Sequence, residues 1–126
     1  QAGLFGTTSA VARFLSELMN IYRGETVSDV LSRKTVELML VPRPDSARTY
    51  GFDTPDMTDS SAGSLFSPGA VGHLGFTGVS MWLDVKRDIL VLLFTNRIHP
   101  DRNNTAIKTF RQLLHDAVMA ALAERT

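Results

Sequence analysis

The sequence contains no cysteine, which excludes disulfides and thiolate chemistry and leaves the compartment open. It has no excess of charge either. Its 13 Lys and Arg balance 13 Asp and Glu in 126 residues, so nothing electrostatic points to nucleic acid or to an anionic membrane as a partner. Long apolar runs are missing: the longest, Ile89-Leu90-Val91-Leu92-Leu93-Phe94, is far below the roughly 20 residues that span a bilayer as a helix. Internal repeats and heptads are absent, which excludes solenoids and coiled coils. So is metal-ligand spacing. His99 precedes a proline, His115 falls in a helical pattern, and neither has a second ligand at zinc spacing. Asp53, Asp56 and Asp59 recur every third residue, but without the glycine and glutamate of a calcium loop they read as solvated turn residues. No cofactor and no metal is expected. The first residue is Gln1, with no charged-then-apolar leader after it, so the sequence is silent on targeting segments of any parent protein.

What is present is ordinary globular material, 44% apolar and 21% charged, read as one segment over 1–126. A chain of this length buries roughly two thirds of its unfolded surface. Val11, Phe14, Leu15, Leu18, Met19 and Tyr22 recur at spacings of three and four, which predicts a helix over 8–22 with Thr7 as its cap and Gly24 as its stop. Ser32 heads a second helix over 33–40, with Val36, Met39 and Leu40 inward and Pro42 and Pro44 closing it. From 41 to 71 the composition turns to Pro, Ser, Asp and Gly. A short strand fits 49–54, and 56–69 reads as an irregular loop, either a rim over a site or a loose connector. A last helix over 104–123 places Ile107, Phe110, Leu114, Ala117, Val118, Ala121 and Leu122 on one face, to lie across the strands.

Between loop and helix lies Gly72-His73-Leu74-Gly75-Phe76-Thr77-Gly78-Val79-Ser80. Glycine inside a strand pattern marks a bulge or a close approach of ligand or backbone, which makes this stretch a candidate site wall. Strands over about 70–76, 79–84 and 89–96 follow, the last two joined as a hairpin by Val85-Lys86-Arg87-Asp88. Helices, then strands, then a helix predict an α+β fold with an antiparallel sheet.

The run His73-Leu74-Gly75-Phe76-Thr77-Gly78, a strand, a charged turn, an apolar strand ending Phe94-Thr95-Asn96-Arg97 and a closing helix resemble the C-terminal part of the serine beta-lactamase and penicillin-binding-protein-like family. The nearest branch is the class C-like and esterase-like hydrolases with His-x-Gly in place of Lys-Thr-Gly. The resemblance extends to Ala2-Gly3-Leu4-Phe5-Gly6-Thr7 and the helix after it, so it covers essentially the whole chain. It implies a beta-lactamase/transpeptidase-like fold and acyl transfer on a small-molecule ester, amide or lactam. The residue after the triplet, Phe76, would supply one backbone N–H of the oxyanion hole. His73 would stand where the family has its lysine, with Gly75, Thr77, Gly78 and Asn96 beside the substrate. An imidazole is mostly neutral at pH 7, and Leu74 lacks the hydroxyl of the usual threonine, which together favour a neutral ester or amide over a lactam.

The family's nucleophile motif, Ser-x-x-Lys, and its base motif, Tyr-x-Asn, are both absent from these 126 residues. Thr77 and Ser80 carry hydroxyls, but no lysine or histidine is placed by sequence to activate them. Two functions stay open: the C-terminal portion of a serine hydrolase, inactive alone, and a non-catalytic binding or structural module on the same scaffold. The 89–94 strand, apolar at every position, expects cover on both faces. Its partner would be an N-terminal segment of a parent or, failing that, a second copy joined through the strand edge.

Overall fold

The structure is a computed structural model and describes residues 4–124; Ala2 and Gly3 of the N-terminal resemblance lie outside that range. Helix α1, Thr8–Arg23, starts where the Thr7 hydroxyl accepts from Ala10 N at 3.2 Å and stops at Gly24, whose φ of 78° is the left-handed conformation that glycine adopts without strain. Its buried stripe is Leu15, Leu18, Met19 and Ile21. Phe14, expected inward, is 55% exposed, while Ile21, two turns further along, is buried. Helix α2, Arg33–Leu40, is capped by Ser32 and buries Val36 and Leu40.

The three strands are β1 (Val71–Leu74), β2 (Ser80–Asp84) and β3 (Ile89–Leu93), in the order β1-β2-β3 and antiparallel throughout. Val71 pairs with Leu83, His73 with Met81 and Trp82 with Val91. Helix α3, Ile107–Ala123, closes the chain. The expected α+β class and element order hold, with shorter elements. The 70–76 strand ends at Leu74 because Gly75 N donates to Val79 O (2.7 Å) and Gly78 N to Gly75 O (3.1 Å), which turns the backbone back. The 89–96 strand ends at Leu93. The 49–54 strand does not form: Thr49 Oγ accepts from Gly51 N and Phe52 N, a tight turn that leaves two isolated bridges, Arg48 to Asp53 and Asp53 to Gly72.

Side chains alternate across the sheet and give it two unlike faces. On one, Val71 and Leu83 join Leu15, Leu18, Met19, Ile21, Val36, Leu40 and Phe52 in an apolar core, with Met81, Leu90 and Leu92 packed at its margin. On the other, Ser80, Trp82 and Asp84 lie beneath α3 and the 56–69 loop. Here the buried stripe of α3 is Arg111, His115 and Met119, while Phe110, Ala117 and Ala121 of the predicted face are exposed. The helix is rotated by about one position from its apolar pattern, because hydrogen bonds bury the arginine and the histidine. The loop is irregular as expected and is tied down. Asp116 Oδ1 accepts from Ser64 N (2.6 Å) and Leu65 N (3.2 Å), and Asp84, fully buried, accepts from Ser67 N (2.8 Å) and Arg87 N (3.0 Å). Gly72 sits where any Cβ would run into the Met81 carbonyl and the Trp82 ring, so β1 and β2 pair closely only with glycine there.

Candidate functional site

His73, Gly75, Phe76, Thr77 and Gly78 come together at the end of β1 and in the tight turn leading to β2. Gly78 has φ 108° and packs against Thr95, and Arg97 N donates to Thr77 O at 2.8 Å, which sets the exposed Asn96 beside the same turn. Asn96 and the Thr77 hydroxyl make no hydrogen bond among the described residues.

His73 is half exposed, and its Nδ1 lies 2.8 Å from the Leu74 carbonyl. A carbonyl only accepts, so Nδ1 carries the proton and the neutral ring presents a bare Nε2. That nitrogen lies 3.9 Å from Asp53 Oδ2 and would donate to it only in the protonated ring. Asp53 is thus no solvated turn residue, which corrects the expectation from its spacing. It bridges Gly72 on the outer side of β1, lies 3.2 Å from Arg48 Nε off the hydrogen-bond angle, and stands beside the imidazole.

The carbonyls of Gly75, Phe76, Thr77 and Val79 are engaged. Arg111 Nη2 donates to Gly75 O (2.8 Å) and Val79 O (2.7 Å). Arg97 Nε donates to Phe76 O (2.7 Å) while its guanidinium lies 4.3 Å over the Phe76 ring. The Phe76 N–H, by contrast, donates to no group among the described residues, and Phe76 is 63% exposed. Sequence reasoning missed both arginines. The one available signal was the four-residue step Ile107, Arg111, His115, Met119, which a count of apolar residues passes over.

Ser80 Oγ lies 3.1 Å from His115 Nε2, and His115 Nδ1 donates to Ser61 O at 2.8 Å. A histidine therefore does reach Ser80, contrary to the expectation from sequence. Both side chains are fully buried, so no substrate reaches them, and burial lowers the His115 pKa, which keeps the ring neutral. The pair is a strut between α3, β2 and the loop. Concavities of about 830 and 840 Å³ lie away from the glycine turn, one between α1, α2 and Tyr50, the other between α3 and the 56–69 loop. Among the described residues no cluster of His, Asp or Glu is built to hold a metal, and no helix is long and apolar enough to cross a membrane.

No curated protein and no solved structure matches the chain. A family model does: the one described as Beta-lactamase matches residues 1–116, a span that takes in the glycine turn, the hairpin and most of α3. With the three-stranded antiparallel sheet between its helices and a family match over nearly its full length, this chain belongs to the beta-lactamase family.

Proposed function

We propose that the chain is the C-terminal portion of a beta-lactamase-family serine hydrolase, supplying the His-x-Gly strand and half of the oxyanion hole for hydrolysis of an ester or amide. Family membership gives the serine-hydrolase type of the parent. The observation that carries the rest is the Phe76 amide. The carbonyls on either side of it, Gly75 O and Phe76 O, are held by Arg111 and Arg97, and its own N–H is left for a ligand. An oxyanion hole needs such a donor, fixed in advance and dry once substrate is bound, and one donor is worth about a hundred- to a thousandfold in rate. His73, with a bare Nε2 when neutral, accepts a hydrogen bond from substrate or from a tyrosine hydroxyl and brings no fixed charge for a lactam carboxylate.

Among the described residues the one serine hydroxyl that meets a histidine is that of Ser80, and both are sealed in the interior. The chain alone therefore turns over neither p-nitrophenyl acetate nor a chromogenic cephalosporin. In the full reading frame that encodes it, a fluorophosphonate labels one serine in a Ser-x-x-Lys sequence outside this segment. Stoichiometric labelling of the 126-residue chain itself, or of no serine at all in the full protein, overturns the proposal; the latter outcome leaves the non-catalytic module.

A further inference from the structure

The N–H of Phe76 and the C=O of Gly75 belong to one planar trans peptide unit and point in opposite directions. Whatever fixes the Gly75 carbonyl therefore fixes the aim of the Phe76 N–H. Two groups hold it: the Gly78 N–H within the turn, at 3.1 Å, and Arg111, whose Nη2 reaches Gly75 O at 2.8 Å and Val79 O at 2.7 Å from the second turn of α3. A planar guanidinium bridging two carbonyls leaves the unit little freedom to rotate. On the other side, the next peptide unit is held at Phe76 O by Arg97, which is itself anchored to the carbonyls of Arg102 (2.7 Å) and Asn104 (3.2 Å).

Arg111 is only 6% exposed, its Nε has no acceptor, and no carboxylate pairs with it among the described residues. Burial, and then Arg97, disfavour its charge. A buried cation without a counter-ion is a costly element in a scaffold. Its place behind an outward amide gives it a use, since a hydrogen bond to the carbonyl side of a peptide strengthens the N–H as a donor.

Resting on the reading of Phe76 given above, we infer that Arg111 is a positioning residue that aims and polarises the Phe76 N–H toward a developing oxyanion. The test uses the full-length hydrolase in three forms: Arg111→Met, Arg111→Lys, and an amide-to-ester replacement that removes only the N–H at position 76. The ester form loses about a hundredfold or more in kcat. Arg111→Met loses about ten- to a hundredfold in kcat with KM nearly unchanged, because a misaimed donor is felt in the transition state. Arg111→Lys, which keeps the charge and loses the planar, rigid guanidinium, falls between. In the 126-residue chain, the amide ¹⁵N resonance of Phe76, sensitive to hydrogen bonding at the preceding carbonyl, shifts in both arginine variants while the amides of Trp82 and Val91 do not.

If the ester form keeps wild-type kcat, Phe76 is not the donor and the functional reading itself falls. If the ester form is impaired while a folded Arg111→Lys keeps both the wild-type kcat and the wild-type Phe76 resonance, that reading stands and the role given to Arg111 is overturned. Should Arg111→Met fail to fold, the Lys form decides.

Discussion

The two faces of the sheet are built by different physics. The face against α1 and α2 is held by burial of Leu15, Leu18, Val36, Leu40, Val71 and Leu83, a force without direction that rewards filled volume. The face against α3 and the 56–69 loop buries Ser80, Asp84, Arg111 and His115, whose hydrogen bonds have partners and angles. The first face makes the fold stable and says little about where a given peptide unit points. The second face ties particular carbonyls and amides to particular side chains, and the glycine turn hangs from it.

Substitutions that preserve shape should separate the two faces. The largest effect is on the apolar side, where Leu18→Ala lowers stability by about 2–5 kcal/mol and Leu18→Met by less than about 1.5 kcal/mol, measured by urea unfolding. Equal costs for the two would remove the claim that volume governs that face. On the polar side, Asp84→Asn keeps the shape but turns an acceptor into a donor facing a buried N–H, so it costs about 1–3 kcal/mol. It also speeds amide exchange at Ser67, and an unchanged unfolding midpoint there would erase the contrast.

A smaller effect is expected from pH. Burial holds the His115 pKa below the 6.5 of a free imidazole, so the unfolded chain takes up a proton where the folded chain does not. The stability from the neutral ring is full above about pH 6.5, falls as pH drops from there toward the folded value, and levels off below it. In His115→Gln that slope between pH 7.5 and 5 is shallower than in the parent chain; identical slopes would mean His115 is not the group responsible. The smallest effect concerns the outer side of β3, which no strand covers among the described residues. We propose it as the edge that meets an N-terminal strand of the parent or, without one, a second copy. Light scattering over a hundredfold dilution should show dissociation, weakened further by Leu93→Lys; Leu92 is unsuitable because it packs on the apolar core. A monomer at every concentration defeats the proposal.

The apolar face was legible in the sequence because burial leaves a periodic trace. The step of three and four along α1, the Gly24 stop and the Val85 to Asp88 turn all reappear as read. Even there the reading erred at two positions, since Phe14 and Ile21 lie two turns apart on one side of α1 and are equally apolar, yet only Ile21 is buried. The polar face left almost no trace. A buried arginine or histidine looks like a surface residue until the carbonyls it serves are in place, so Phe110 was put inside and Arg111 was passed over. Asp53 was misread for the same reason: its partners, Gly72 and His73, are distant in sequence. The candidate site was legible as a string, from His73 to Gly78, but the groups that aim it were not.

The arginine that holds the Gly75 carbonyl lies 36 residues further along the chain, and the aspartate that gathers Ser64 and Leu65 lies more than 50 residues beyond them. Seen as a sequence of events on the ribosome, the hairpin and its glycine turn emerge and can pair before the helix that orients them exists. Contacts of such long separation form late. A product released after Arg97 and before Arg111 would contain every residue of the His73 to Gly78 motif and still lack the cation behind the Phe76 amide. Premature termination in this window, or an insertion that detaches α3, would thus give a protein that keeps the sequence signature of the family and has lost the direction of its donor.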